Sequence, residues 1–225
     1  EPAGGGPVLV DAGPPEANVA EALDDRGIDR LAALVITHPE SDHDGGAASV
    51  LARVAVDRLV FARARRSTLA AARAAGSRLT RVAEGALLRS GALRLEVLWP
   101  PPERLAAPDS ARADANLLSL VLLARWRGFE ALLSGDAEAE AAPIAPGAVD
   151  VLKVAHHGSA DTGLEGLLEE ADPRLAVISV GADNPYGHPT PTTLAELEAA
   201  GTAVMRTDRD GEVEVDVGRD AWSVR

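Results

Sequence analysis

The strongest constraint on this chain is a short apolar run that ends abruptly in metal-binding chemistry: Leu34-Val35-Ile36-Thr37-His38-Pro39-Glu40-Ser41-Asp42-His43-Asp44-Gly45-Gly46. Leu34 to Ile36 reads as a buried strand. Just beyond it, His38, Glu40, Asp42 and His43 put two imidazoles and two carboxylates into a loop leaving the strand end. Pro39 keeps His38 out of helical geometry, and the glycine pair lets the backbone bend tightly into the next helix. Imidazole with carboxylate is the ligand set of a transition ion rather than of calcium. A plainer account makes Asp42 or Asp44 a helix N-cap, but a cap needs one such residue and not four.

The other histidines extend this pattern. All 5 fall into three clusters, His38 with His43, His156 with His157, and His188 alone, and each cluster follows an apolar run. They read as parts of one site built at the ends of several strands, as α/β folds arrange their sites. With 0 cysteines, disulfides and thiol chemistry are excluded and any metal must be held by nitrogen and oxygen.

Other runs carry chemistry in the same way. Val8-Leu9-Val10 is a strand ending in Asp11, which either orients a ligand or is an ordinary turn aspartate. A strand over Glu130 to Leu133 ends in Ser134-Gly135-Asp136. Val149 to Val154 leads to His156-His157-Gly158-Ser159, and Leu175 to Ser179 leads to a loop carrying Asn184, Tyr186 and His188. Further strands are expected at 58–61, 78–82, 93–99 and 119–126, and strand-like runs at 203–206, 212–217 and 222–225. Helices are expected at 18–26, 46–53, 63–75 and 163–170, with another starting at Thr190-Pro191-Thr192, proline at its first position. The arginines of 63–75 are either phosphate contacts or a solvated helix face, and the solvated face is the better reading. Residues 1–7 read as a Gly/Pro-rich tail or loop, and Pro100 to Ala115 as an aperiodic flexible loop near the site.

The 225 residues are expected to form one domain, 1–225, packed by aliphatic side chains because aromatics make up only 3%. No apolar run approaches the roughly 18 residues that cross a bilayer, and no signal peptide opens the chain, so it is expected to be soluble. A net charge of −13 counts against broad electrostatic attraction to nucleic acid.

Taken together, Asp11 at a strand end, Thr37-His38-x-Glu40-x-Asp42-His43, Ser134-Gly135-Asp136 and His156-His157-Gly158-Ser159 resemble the metallo-β-lactamase fold superfamily. More narrowly, Asp150 to Ser159, Gly187-His188-Pro189 and Arg206-Thr207-Asp208-Arg209-Asp210-Gly211 are similar to the C-terminal extracytoplasmic domain of ComEC-type DNA-uptake (competence) proteins. The resemblance implies an α/β fold, a four-layered αββα metallo-β-lactamase-like sandwich, with two divalent metal ions, Mn or Zn. By the family pattern His38 and Glu40 hold one ion, Asp42, His43 and His157 hold the other, and Asp136 bridges. Glu40 stands where the superfamily usually has a second histidine, and Asn116 where it has a third-motif histidine. The family's opening strand hairpin is missing before Glu1, so the chain is expected to be a trimmed piece of a larger polytopic membrane protein.

The activity so implied is metal-dependent hydrolysis of phosphodiesters, most of all DNA, with Asp42 and His188 catalytic. Here His188 steadies the scissile phosphate or protonates the leaving oxygen. Lys153, His156, Ser159 and Asn116 are the candidate substrate-binding residues, although Lys153 equally reads as a surface lysine and Ser159 rather more as a helix cap. The implied setting is the outer face of a bacterial cell membrane, with DNA and the rest of an uptake channel as partners. Two alternatives stay open: another hydrolase of the superfamily, such as a phosphorylcholine esterase or a lactonase-like enzyme, and a metal-poor DNA-binding or structural domain.

Overall fold

The computed structural model describes residues 4–107, 114–219 and 221–225. Its first half runs β1 (Val8–Val10), α1 (Val19–Asp25), β2 (Arg30–Leu31), β3 (Ala33–Ile36), α2 (Ser41–Asp44), α3 (Ala47–Arg53), β4 (Ala55–Val56), β5 (Arg58–Phe61), α4 (Arg66–Ala74) and β6 (Arg78–Arg81). Its second half runs β7 (Leu87–Ser90), β8 (Leu93–Trp99), α5 (Pro102–Ala106), β9 (Val121–Trp126), β10 (Phe129–Leu133), β11 (Val151–Lys153), α6 (Leu164–Ala171), β12 (Leu175–Ile178), α7 (Pro191–Ala199), β13 (Ala203–Arg206), α8 (Thr207–Asp210), β14 (Val215–Val217) and β15 (Trp222–Val224).

Two sheets stack between two layers of helices, giving the expected αββα sandwich. One is a parallel sheet of order β1-β3-β5-β6. The other has order β13-β12-β11-β10-β9-β8-β7, parallel from β10 to β13 and antiparallel from β7 to β10. The period-two alternation of a strand decides which layer each side chain enters. On β3, Leu34 and Ile36 pack outward against Val50, Leu51 and Ala72 of the helices. Ala33 and Val35 of the same strand pack inward against Leu95, Val97, Leu120 and Leu122 of the second sheet. On the far side Leu132, Leu152 and Ile178 meet Leu164 and Leu168 of α6 and Leu197 of α7. Strands buried on both faces read as continuous apolar runs, which is why 34–36 carries no polar alternation.

The C-terminal hairpin of β14 and β15 has a separate packing role. Val215 and Trp222 lie with Phe129 and Met205 against Ala131, Val151 and Leu175, the inward side chains of β10 to β12. Among the described residues β1 is the outer strand of its sheet.

Most expected elements are present within a residue or two, and Thr190 caps α7 by accepting from the Thr193 amide, with Pro191 at the first helical position. One expected loop is corrected, one strand was not anticipated, and the helix-cap account set aside above does not hold. Residues 102–106 form α5 rather than loop, while 108–113 of that stretch lie outside the described residues. Strand β7 escaped notice because its inward residues are Leu88 and Ser90 while Leu87 and Arg89 face out, a pattern too short and too mixed to register. Neither Asp42 nor Asp44 caps a helix: Glu40 and Gly46 hold the cap positions of α2 and α3.

Candidate metal centre

Parallel pairing places the C-terminal tips of β1 and β3 together, and likewise those of β10, β11 and β12. The two groups meet where the Leu120 amide donates to the Thr37 carbonyl across the sheets. Gly135 sits in this seam with φ +54°, and a Cβ there would stand 2.4 Å from Ser119 Oγ. Any side chain at 135 would therefore push the Asp136 turn away from β3.

Around the seam, side chains from distant parts of the chain converge. Asp42, His43, Asp136 and His157 each offer one ligand atom, and these atoms all lie within 4.8 Å of one another. His43 Nε2 stands 3.1 Å from Asp136 Oδ1, His157 Nε2 3.3 Å from Asp42 Oδ2 and 3.7 Å from Asp136 Oδ2. His38 Nε2 points at the same carboxylate from 3.8 Å. His38 Nε2, His43 Nε2, His157 Nε2 and Asp136 Oδ1 are buried without a well-formed hydrogen bond. Buried polar atoms are normally satisfied, so several orphaned ones facing a common point fit a cation coordinated there.

The other ring nitrogens are already engaged, which orients the free ones. His43 Nδ1 lies 2.7 Å from Asp11 Oδ2, and Asp11 also accepts from the amide and hydroxyl of Thr37, both at 2.8 Å. His157 Nδ1 reaches the Ser179 carbonyl at 2.6 Å. His38 Nδ1 lies 3.2 Å from Thr37 Oγ1, and Ser119 Oγ accepts from the Asp136 amide at 3.0 Å. Such outer partners fix tautomer and ring orientation in metal sites. Asp11 thus has the expected orienting position. Thr37, which opens the first motif, has a similar one, as do Ser119 and Ser179, which no sequence signal marks.

Electrostatics follow from the crowding. Burial, reinforced by neighbouring His43, lowers the His38 pKa to about 4. Burial also opposes charge on His43, yet the carboxylates of Asp11, 2.7 Å from Nδ1, and Asp136, 3.1 Å from Nε2, raise it to about 9. The His157 imidazole 3.3 Å away lowers Asp42 to about 2. Asp136 is held far below the usual carboxylate range, because His43 and Lys153 outweigh the burial that would raise it.

Beside the four donors opens a cleft of about 300 Å³ lined by residues that include Glu40, Asn116, His156 and His188. Glu40 is exposed at its rim; its carbonyl accepts from the His43 amide at 3.2 Å, but among the described residues no hydrogen bond or ion pair ties its carboxylate to the donor cluster. Asn116 Nδ2 meets His156 Nε2 at 3.2 Å, and the His156 and His188 rings are 5.7 Å apart. His156 and His157 both take left-handed backbone conformations, φ 46° and 54°, which turn one side chain to the cleft and the other to the donors. Non-glycine residues pay roughly 1–2 kcal/mol each for this conformation.

Two expected substrate residues stand elsewhere. Lys153 Nζ donates to the Gly135 carbonyl at 2.7 Å and lines a second hollow of about 290 Å³ on the other side of His157. Ser159 is buried and its hydroxyl donates to Glu138, so it backs the cleft wall rather than forming it. Glu138 itself was not anticipated: it also binds His156 Nδ1 at 2.8 Å. Three acidic residues in Asp136-Ala137-Glu138-Ala139-Glu140 gave no reason to single it out.

Comparison with known proteins agrees with this geometry. The model of the metallo-beta-lactamase superfamily matches residues 2–89. ComE operon protein 3 of Bacillus subtilis (strain 168) is 36% identical over 200 residues, covering 84% of this chain and 25% of that protein. Recombination protein 2 of Haemophilus influenzae is 30% identical over 198 residues, covering 87% of this chain and 23% of that protein. The chain thus spans about a quarter of the length of these relatives. Among solved structures, the metallo-beta-lactamase fold protein YhfI from Bacillus subtilis superposes with a TM-score of 0.56 at 10% identity, covering 88% of this chain and 83% of that one.

Proposed function

This chain belongs to the metallo-β-lactamase superfamily, and from that premise we propose that it is a metal-dependent phosphodiesterase whose substrate is DNA. The observation that carries the reading is the convergence of Asp42, His43, Asp136 and His157 beside an open cleft. The donor set fits divalent ions. Asp42, His43, Asp136 and His157 would hold one, and His38, already facing Asp136, would hold a second with Glu40 from the cleft rim. Carboxylate-rich ligation suits manganese as well as zinc. When bound, such ions supply positive charge for phosphate oxygens and an acidified water as nucleophile.

The protein's own groups prepare the rest. Asp11 and the Ser179 carbonyl aim His43 and His157 before any ligand arrives, so little reorganisation is left for the bound state. Glu138 holds His156 through Nδ1 and shifts its pKa upward, and Asn116 Nδ2 lies 3.2 Å from the other ring nitrogen at the cleft wall. Asn116, and His156 when protonated, would supply donors for a phosphate oxygen. Burial and the nearby His156 push His188 down, so at neutral pH it is an uncharged imidazole. In that form it steadies a scissile phosphate by donating its N–H rather than by adding charge. The similarity to relatives named for competence and recombination supports DNA as substrate, a DNA-uptake assembly in the membrane as partner and an extracytoplasmic position. Among the described residues no helix is long and apolar enough to cross a membrane.

The test is incubation with linear single- and double-stranded DNA and with a small phosphodiester, in Mn²⁺, Zn²⁺ or Mg²⁺, beside Asp42→Ala. DNA cleavage lost in the variant supports the proposal. Cleavage of the small diester alone assigns the site to a small-molecule esterase. Inertness without metal uptake leaves a binding or structural domain.

A further inference from the structure

The net charge of −13 is unevenly spread. Between Arg53 and Leu95 the sequence holds ten arginines and only two acidic residues, Asp57 and Glu84, so an excess of eight positive charges sits inside an acidic protein. The fold places this segment around one lateral edge of the sandwich, with α4 on the outer face of the first sheet and Arg89 and Arg94 on the outer face of the second. Strand β6 is an outer strand of the first sheet and β7 an outer strand of the second. They follow one another in the chain, and α4 packs over β6 through Leu69 and Ala72 beside Leu79. Arg66, Arg73, Arg78, Arg81, Arg89 and Arg94 are all exposed there.

These charges are also left without acidic partners. Among the described residues no ion pair engages any of those six arginines, while Asp57 pairs with Arg30 instead. Arg89 and Arg94 stand directly opposite each other across β7 and β8. Like charges in that position are destabilising by up to about 1 kcal/mol. Protecting a sheet edge from pairing with another chain needs a charged residue on the edge, not two guanidinium groups face to face. An arrangement that is unfavourable in the free protein and favourable against an anion fits a binding face. Guanidinium is the side chain best matched to phosphate. The upper end of this side touches the metal centre: the Arg65 side chain donates to the Pro39 carbonyl at 2.8 Å, next to Glu40, and the Arg65 amide donates to Asp44 beside His43.

We propose that this arginine-rich side, from β7 and β8 across β6 to the start of α4, is a track for the phosphate backbone of a nucleic-acid strand that ends at the donor cluster. The proposal rests on the phosphodiesterase reading for its substrate and supplies what the overall charge withholds, an attractive path for DNA.

The test compares the unmodified chain with Arg78→Gln/Arg89→Gln/Arg94→Gln and, should that triple variant lose its fold by circular dichroism, with Arg66→Gln/Arg73→Gln. Affinity for a labelled single-stranded oligonucleotide is measured over a range of salt. Removing three phosphate contacts lowers the log–log salt slope by about 2, and removing two lowers it by about 1.4. Turnover of bis(p-nitrophenyl) phosphate, too short to reach β6, is retained. Unchanged oligonucleotide affinity and slope overturn the track. So does loss of binding to phosphatidylglycerol vesicles with DNA affinity intact, which would make this side a membrane contact. If the unmodified chain hydrolyses no phosphodiester, the catalytic reading fails, whereas a reduced salt slope in the variants still supports the track.

Discussion

At the scale of single residues, the site depends on groups that touch no ligand position. Asp11 engages His43 and both polar groups of Thr37, so Asp11→Asn should cost 10–100-fold in metal affinity, about what outer-shell partners contribute elsewhere, measured by calorimetric titration of Zn²⁺ or Mn²⁺. Glu138 and His156 give a pH-dependent prediction. Hydrogen bonding to Glu138 raises His156 above 6.5, so its contribution to stability is complete below that value and is lost as pH rises through the raised pKa. The bond to His156 lowers Glu138 below 4.5, so its contribution holds above that value and is lost as pH falls through the lowered pKa. The pair therefore strengthens the fold most between about pH 4.5 and 6.5. Thermal melts of Glu138→Gln against the parent should show their largest gap in that window, and a gap independent of pH would contradict the pairing. The converging donor residues were legible in the sequence, since few histidines at strand ends are conspicuous. It hid Glu138, Ser119 and the Ser179 carbonyl, because acids, serines and backbone groups are common and only distance distinguishes them.

At the scale of elements, short pieces are held in place by buried polar anchors. Asp44 is buried at the end of α2, accepting from the Arg65 amide at 3.0 Å and the Thr68 hydroxyl at 2.5 Å, and so fastens the start of α4 beside the site. Asp44→Ala leaves both donors unsatisfied and should destabilise by roughly 2–4 kcal/mol in urea unfolding. A change below about 0.5 kcal/mol, the size of an ordinary surface substitution, would show that α4 is fixed by packing alone. The long apolar strands and the Thr190-Pro191 helix start were legible because each carries a periodic or capping signal. Strand β7 and helix α5 were not, being four and five residues long, too short for a period to show.

At the scale of the molecule, two sheets of unequal width leave the inner faces of β10 to β12 in need of cover, and the C-terminal hairpin provides it. Trp222 donates from Nε1 to Asp150 at 2.9 Å and meets Phe129 edge-on at 5.9 Å. Because Trp222 is only half buried, Trp222→Ala should cost about 2 kcal/mol in chemical denaturation, less than the roughly 3–5 typical of an enclosed aromatic. The four-layer architecture was legible through its family motifs. The hairpin's covering role was not, since a strand's partner face cannot be read from three residues. Every scale depends on strand tips from distant parts of the chain forming one metal-binding pocket. Anomalous diffraction from crystals grown with Mn²⁺ or Zn²⁺ tests this most directly. The account predicts a peak at roughly 2.0–2.2 Å from His43 Nε2, His157 Nε2 and carboxylate oxygens of Asp42 and Asp136. A metal-saturated crystal with no peak among those four side chains would contradict it.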